Sequence, residues 1–296
     1  MNKHNLNLSP LALITTLLLS VNANATTQSV DSIALSKNVH LLRVNSNMGN
    51  TSSVISTGEQ GVLLIDPNFD GSSALIQQKI NQLSPNATIK YLTSTHVHRD
   101  HTEQYANFLT QDTTAIVPVS QRQELAKAAY MQGQLPNATF KGQTTLYLNN
   151  NSIHLRTLPK QKGHTNGDLV AYFEQDKLLY VGDYLFIERY PIIDKHLGDI
   201  DGYFANIKHI LDTYPTDTII IPGHSSFEPA PLKTLTMEQY RQYYNDLLAS
   251  IAYIKKQKQA GKSQAEVIKQ GLPEQFARYQ QKPRFVSEQK WIERVW

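Results

Sequence analysis

Ile89-Lys90-Tyr91-Leu92-Thr93-Ser94-Thr95-His96-Val97-His98-Arg99-Asp100-His101 decides how this chain reads. An apolar, β-prone run delivers three imidazoles and a carboxylate within six residues. His96 and His98 stand two apart, so an extended backbone aims both to one side. Asp100 and His101 follow where the chain turns, and they can aim elsewhere. Imidazole nitrogen and carboxylate oxygen are the donors that zinc and related divalent ions prefer. A polar loop that merely clusters histidines is the bland alternative. Four ligand-type side chains after a buried-looking strand weigh against it.

Three more positions extend the pattern. His164 lies in Gly163-His164-Thr165, just before a strand. Asp183 lies in Gly182-Asp183, and His224 in Pro222-Gly223-His224, each just after a strand. A glycine beside each lets the chain bend sharply so that the side chain turns inward. Taken singly, each is an ordinary turn. Together with the cluster, they describe strand ends converging on one pocket.

Outward from the cluster, strands are expected over Val39 to Val44, Thr51 to Thr57, Gly61 to Pro67, where the proline ends it, and Thr113 to Val117. Helices are expected over Ser73 to Leu83, capped by Asp70 or Ser72, near 103–109, and over Ser120 to Tyr130, capped by Ser120. The middle is richer in strands: Thr144 to Leu148, Ser152 to Leu158, Asp168 to Phe173 and Lys177 to Val181. Tyr184 to Asp201 shows no period and reads as a long loop, the kind that often serves function. Gly202 to Leu211 reads as a helix and Thr218 to Ile221 as a strand. Leu235 to Gln259 then carries a long helical pattern, with Tyr240, Tyr244, Leu247, Leu248, Ile251 and Ile254 on its apolar face. Shorter helices are expected near 263–270 and 287–295.

Residues 1–25 read as a secretory signal peptide: Lys3 and His4, the apolar run Leu11 to Leu19, and the small-x-small site Ala23-Asn24-Ala25. An uncleaved anchor is the competing reading. The expectation is cleavage after Ala25 and export to the periplasm or beyond. No later stretch is apolar enough to span a bilayer, so no membrane association is expected after cleavage. The remainder divides into a catalytic domain over 26–231 and a helical C-terminal extension over 232–296. The formal charge of +3 gives no sign of a nucleic-acid partner. With no cysteine there are no disulfides and no thiolate ligands, so a metal site must use His, Asp, Glu and water.

The set His96, His98, Asp100, His101, His164, Asp183 and His224, in this order and spacing, resembles the metallo-β-lactamase superfamily. The likeness runs from Val39 to Ser226 and includes the strand ending in Ile65-Asp66-Pro67. It implies an α+β fold, a four-layer αβ/βα sandwich of two mixed sheets covered by helices, with metals at one edge. It also implies two zinc ions per chain. His96, His98 and His164 match the ligands of one ion, and Asp100, His101 and His224 those of the second. Asp183 matches the residue bridging both. Asp66 either supports the ligand loop, as its family counterpart does, or simply terminates a strand.

Such a pair of ions activates water at neutral pH and polarises a carbonyl. The implied function is an exported dinuclear zinc hydrolase in which metal-bound hydroxide attacks an amide, ester, lactone or thioester carbonyl of a small molecule. Asp100 would bind metal and orient the attacking group. Three further residues are candidate substrate contacts, each with an ordinary alternative: Tyr184 as oxyanion donor or packing residue, His196 in the long loop, and Met48 at a hairpin tip. The segment Gly-Asp-Tyr-Leu-Phe at 182–186 resembles glyoxalase II-like and lactonase-like branches. The lack of cysteine argues against the β-lactamases that use a Cys ligand, yet β-lactam hydrolysis stays an alternative. Thr102-Glu103-Gln104-Tyr105 departs from the Gly pair that many relatives carry there, which leaves the substrate open. A di-iron redox enzyme would require an electron-donor domain that the tail does not resemble. A non-catalytic metal-binding protein is the third class. The oligomeric state is not readable.

Overall fold

The computed structural model describes residues 28–46, 49–131, 133–226, 230–280 and 286–296. The signal-peptide reading and Met48 lie outside the described residues. Among those described, no helix is long and apolar enough to cross a membrane.

Two sheets form the frame. The first runs in chain order: β1 (Ser29–Ala34), β2 (Val39–Ser46), β3 (Gly49–Ser56), β4 (Val62–Ile65), β5 (Ile89–Thr93), β6 (Thr114–Pro118) and β7 (Ala138–Phe140). The second is ordered β13-β12-β11-β10-β9-β8, from β8 (Gln143–Leu148), β9 (Asn151–Thr157), β10 (Leu169–Phe173), β11 (Leu178–Tyr180), β12 (Ile219–Ile221) and β13 (Leu235–Thr236). Early strands pair as antiparallel hairpins, while β4, β5, β6 and β7 are parallel and need crossovers. The helices are α1 (Ser73–Leu83), α2 (Arg99–Thr102), α3 (Tyr105–Phe108), α4 (Val119–Leu125), α5 (Ile200–Thr213), α6 (Met237–Gln259), α7 (Gln264–Gln270) and α8 (Glu288–Val295).

The strands' two-residue alternation builds the layers. Leu63, Ile65, Leu169, Ala171, Leu178 and Tyr180 point between the sheets and form one cluster. Val62, Leu64, Leu92 and Val117 face outward under Ile76 and Ile80 of α1 and Leu125 of α4. Val170, Leu179, Val181 and Ile220 face the opposite way, under α5 and the C-terminal helices. The result is the expected αβ/βα sandwich, in which the inner strands β4, β10 and β11 are buried on both faces. The C-terminal helices share a single core with the second sheet: Tyr240, Leu247, Ile254, Val267, Trp291 and Ile292 pack into the same cluster as Val181 and Tyr184. Capping boxes start α6 at Thr236 with Gln239 and α7 at Ser263 with Glu266, satisfying the free N–H groups of each first turn.

Several local expectations change. The helix over 120–130 ends at Leu125 and begins directly from Pro118, so Ser120 does not cap it. The helix near 103–109 is a single turn, α3, and another single turn, α2, precedes it. Ser72 precedes α1, but its hydroxyl donates to the carbonyl of Phe69 instead of capping. On α6 the buried stripe runs through Tyr240, Tyr243, Leu247, Ile251 and Ile254, while Leu248 is exposed.

Candidate metal centre

All seven ligand-type residues sit at one edge of the sandwich. His96 and His98 follow the end of β5, and α2 carries Asp100 and His101. His98 has an extended backbone at the start of α2, and although residues 95–97 form a bend and not a strand, it joins His96 in one group of ligating atoms. His164 lies between β9 and β10. Asp183 sits in a tight turn after β11, and His224 follows β12. The pair β11 and β12 is parallel, so their C-terminal ends open on the same edge. The turns need their glycines: a Cβ on Gly223 would lie 2.2 Å from the Asp183 carboxylate, and Gly182 has φ +53° with its Cα facing Thr95.

Two groups of ligating atoms result: those of His96, His98, His164 and Asp183, and those of Asp100, His101 and His224. Within each group the atoms lie within 4.8 Å of one another. Asp183 lies between the groups. Its Oδ2 is 3.3 Å from Nε2 of His164, 3.7 Å from Nε2 of His96 and 3.2 Å from Nε2 of His224. Its Oδ1 is 3.3 Å from Nε2 of His101. Oδ2 of Asp100 is 3.6 Å from His101 and 3.5 Å from His224. His96, His101, His164, Asp183 and His224 are almost fully buried. The side chains of His98 and Asp100 are 24% and 38% exposed, so the centre opens on their side.

The outer nitrogen of every imidazole is engaged, which orients each ring. Nδ1 of His101 meets Oδ2 of Asp66 at 2.8 Å, and Nδ1 of His96 meets the Thr95 hydroxyl at 3.0 Å. Nδ1 of His164 donates to the carbonyl of Ile192, and Nδ1 of His224 to that of Asn50. His98 is turned the other way, with Nε2 3.2 Å from Asp194. Asp66 therefore does support the ligand loop. Its carboxylate also accepts the Thr95 N–H, the Thr95 hydroxyl and the Tyr180 hydroxyl. Thr51 donates its hydroxyl to Asp100 at 3.1 Å.

The inner atoms fit a cation. Nε2 of His96, Nε2 of His101 and Oδ1 of Asp183 are buried without a hydrogen-bond partner. Such groups are costly unless something polar completes them. Nδ1 of His98 and Nε2 of His164 face each other at 2.9 Å, while their outer nitrogens are engaged. Two inward lone pairs at that distance suit a shared positive charge. The carboxyl of Asp183 is opposed by burial but held well below its ordinary pKa by His224, His101, His96 and His164. Burial lowers His101, yet Asp183, Asp100 and Asp66 outweigh it and raise its pKa well above the usual. His164 is raised in the same way, chiefly by Asp183 against burial. His96 goes well below, through burial and the charge of His101.

Against known proteins, residues 47–224 match the family model of the metallo-beta-lactamase superfamily. That match covers more than half of the sequence and all seven ligand positions. The chain belongs to the metallo-beta-lactamase superfamily. A hydroxyacylglutathione hydrolase of Bartonella henselae is 27% identical over 187 residues, 62% of this chain and 69% of that one. Its counterpart in Bartonella quintana is 26% identical over 160 residues, 53% and 57% of the two chains. Among solved structures, the DIM-1 metallo-beta-lactamase superposes with a TM-score of 0.60 at 17% identity, over 74% of this chain and 99% of that one. A double mutant of the sec-alkyl sulfatase PisA1 gives a TM-score of 0.65 at 14% identity, over 90% of this chain and 49% of that one. These structures share the superfamily's fold with this chain.

The three expected substrate contacts fare differently. Tyr184 is buried, and its hydroxyl donates to Asp168 at 2.7 Å while accepting from the N–H of His164 and from Asn206. Its oxygen is fully used in holding the His164 turn, which corrects the oxyanion-donor reading in favour of packing. His196 is exposed in the long loop, among Lys160, Lys162, Lys195 and Asp199, which line a surface cavity; it does not reach the seven ligands. Met48 falls outside the described residues. Asp194, Thr51, Asp168 and Asn206 are functional neighbours that sequence reasoning missed. Each is a single polar residue whose partner is distant in sequence, so no local pattern marks it.

Proposed function

We propose that this chain is an exported dinuclear zinc hydrolase that attacks the carbonyl carbon of a small amide, ester, lactone or thioester with water and breaks its acyl C–N, C–O or C–S bond. The observation that carries the reading is the position of Asp183, between two sets of imidazoles whose outer nitrogens are all engaged. His96, His98 and His164 would hold one ion, Asp100, His101 and His224 the other, with Asp183 shared. Bound metal of this type lowers the pKa of water and polarises a carbonyl oxygen.

The protein's own contribution is preorganisation. Asp66, Thr95, Ile192, Asn50 and Asp194 fix the five rings before any ligand arrives. Thr51 holds Oδ2 of Asp100, the oxygen that faces His101 and His224, and so fixes this carboxylate at the open side of the centre, where it can orient an approaching nucleophile. Substrate approaches from the side of His98 and Asp100, the two exposed ligands. The two hydroxyacylglutathione hydrolases matched by sequence support a thioester as the first substrate to try. Hydrolysis of β-lactams is the alternative.

The deciding experiment is a panel assay on purified, zinc-loaded protein with acylglutathione thioesters, acyl-homoserine lactones, aryl esters, β-lactams and phosphodiesters. Turnover of one carbonyl class is expected. Turnover of phosphodiesters alone contradicts the reading. Export is tested by fractionating the producing cells and sequencing the N-terminus, which is expected at Thr26.

A further inference from the structure

The loop between Tyr184 and α5 reaches the metal centre through one side chain. Oδ2 of Asp194 lies 3.2 Å from Nε2 of His98. The other oxygen, Oδ1, accepts the backbone N–H groups of His196 and Leu197, each at 2.7 Å. The N–H of Asp194 donates to the carbonyl of His164 at 3.1 Å, and two residues earlier the carbonyl of Ile192 takes Nδ1 of His164 at 2.8 Å. One segment thus holds two ligands of the same site.

His98 is the ring for which this matters most. The other four imidazoles turn Nε2 inward; His98 turns Nδ1 inward, 2.9 Å from Nε2 of His164. A neutral imidazole carries one proton, and the nitrogen that bears it cannot ligate. A carboxylate accepts but does not donate, so Asp194 holds that proton on Nε2 and leaves the lone pair on Nδ1.

We infer that Asp194 is a positioning residue of the metal centre: it selects the tautomer of His98 and so makes that ring a ligand of the first site. The inference rests on the proposal that the cluster holds metal. It has a consequence that a packing role lacks. In Asp194→Asn the amide oxygen stays with the N–H groups of His196 and Leu197, because the alternative orientation would set donors against donors. The amide NH₂ then faces His98 and can only donate, so the proton of His98 moves to Nδ1. In Asp194→Ala, Nε2 meets water at this partly open edge and keeps its proton. The variant closer in shape is therefore the more damaging.

The test is zinc titration of wild type, Asp194→Ala and Asp194→Asn with a competing chelator, without substrate, alongside long-range ¹H–¹⁵N spectra of the imidazoles in the metal-free proteins. The expected loss at one of the two sites is on the order of 10-fold for Ala and 100-fold for Asn, with the other site unchanged. The spectra are expected to show the His98 proton on Nε2 in wild type and on Nδ1 in Asn. Asp194→Ala at least as weak as Asp194→Asn, equal affinities in all three proteins, or an unmoved proton in Asn overturns the inference. Wild type that binds no metal overturns the proposed function instead, and the inference with it.

Discussion

Nδ1 of His101 and Oδ2 of Asp66 meet at 2.8 Å with both side chains completely buried. Asp66 ends β4 with φ at +60°, a left-handed conformation that is uncommon for a residue with a Cβ. That bend brings one carboxylate against the His101 ring, the Thr95 N–H and hydroxyl, and the Tyr180 hydroxyl of the second sheet. It is the point where the two sheets and the ligand loop are tied together.

Replacing Asp66 by Ala is accordingly expected to weaken metal binding by roughly 10–100-fold, because His101 loses the partner that orients it. Tyr180 and Thr95 also lose a buried acceptor, so the melting temperature falls as well. Chelator competition and thermal melts on the same samples measure both effects. Metal affinity equal to wild type would show that Asp66 serves the fold alone.

Tyr184→Phe separates packing from substrate contact. The variant removes an oxygen that takes the N–H of His164 and the amide of Asn206 and donates to Asp168. Leaving buried polar groups without a partner costs about 1–3 kcal/mol. Urea unfolding is expected to show a loss of that size, with KM close to wild type. A large rise in KM at unchanged stability would restore the substrate-contact reading.

Metal uptake should release protons, and the sign follows from two histidines. His101 and His164 are held above their ordinary pKa by the carboxylates around them, in spite of burial. The raised pKa favours the protonated ring in the metal-free chain, and a metal must displace that proton. His96, pushed well below its ordinary value by burial, contributes none. Calorimetry of zinc binding in buffers of different ionisation enthalpy is expected to show net proton release that shrinks as pH rises. Affinity should rise with pH through the raised pKa values of His101 and His164. Proton uptake, or affinity that falls as pH rises, would contradict this electrostatic picture.

The candidate ligands stood out in the sequence because His and Asp have a chemical preference for metal, four of them crowd into residues 96–101, and His164, Asp183 and His224 each sit beside a glycine at a strand end. The layered fold was legible through the family resemblance those residues carry, and the continuous apolar runs of β4, β10 and β11 mark strands buried on both faces. What escaped was what depends on approach in space. β1 reads Ser29-Val30-Asp31-Ser32-Ile33-Ala34, too polar to signal a strand, and it forms only by pairing along the edge of β2. On α6 the expected Tyr240, Leu247, Ile251 and Ile254 are buried and Tyr244 packs at the margin of the core, but Tyr243 also meets the core and Leu248 does not. Asp194 looked like any loop carboxylate, since nothing near it in sequence points to His98.

Zinc content of wild type and Asp183→Ala, measured by elemental analysis after dialysis at a fixed low free-zinc concentration, tests the shared site most directly. Asp183 faces both sets of imidazoles, so its loss removes a ligand from each and leaves the inward nitrogens without a counter-charge. The expected result is two ions per chain in wild type, at most one in the variant, and loss of hydrolysis with the second ion. Two ions retained by Asp183→Ala, or a wild-type protein that never holds more than one, would contradict the dinuclear account.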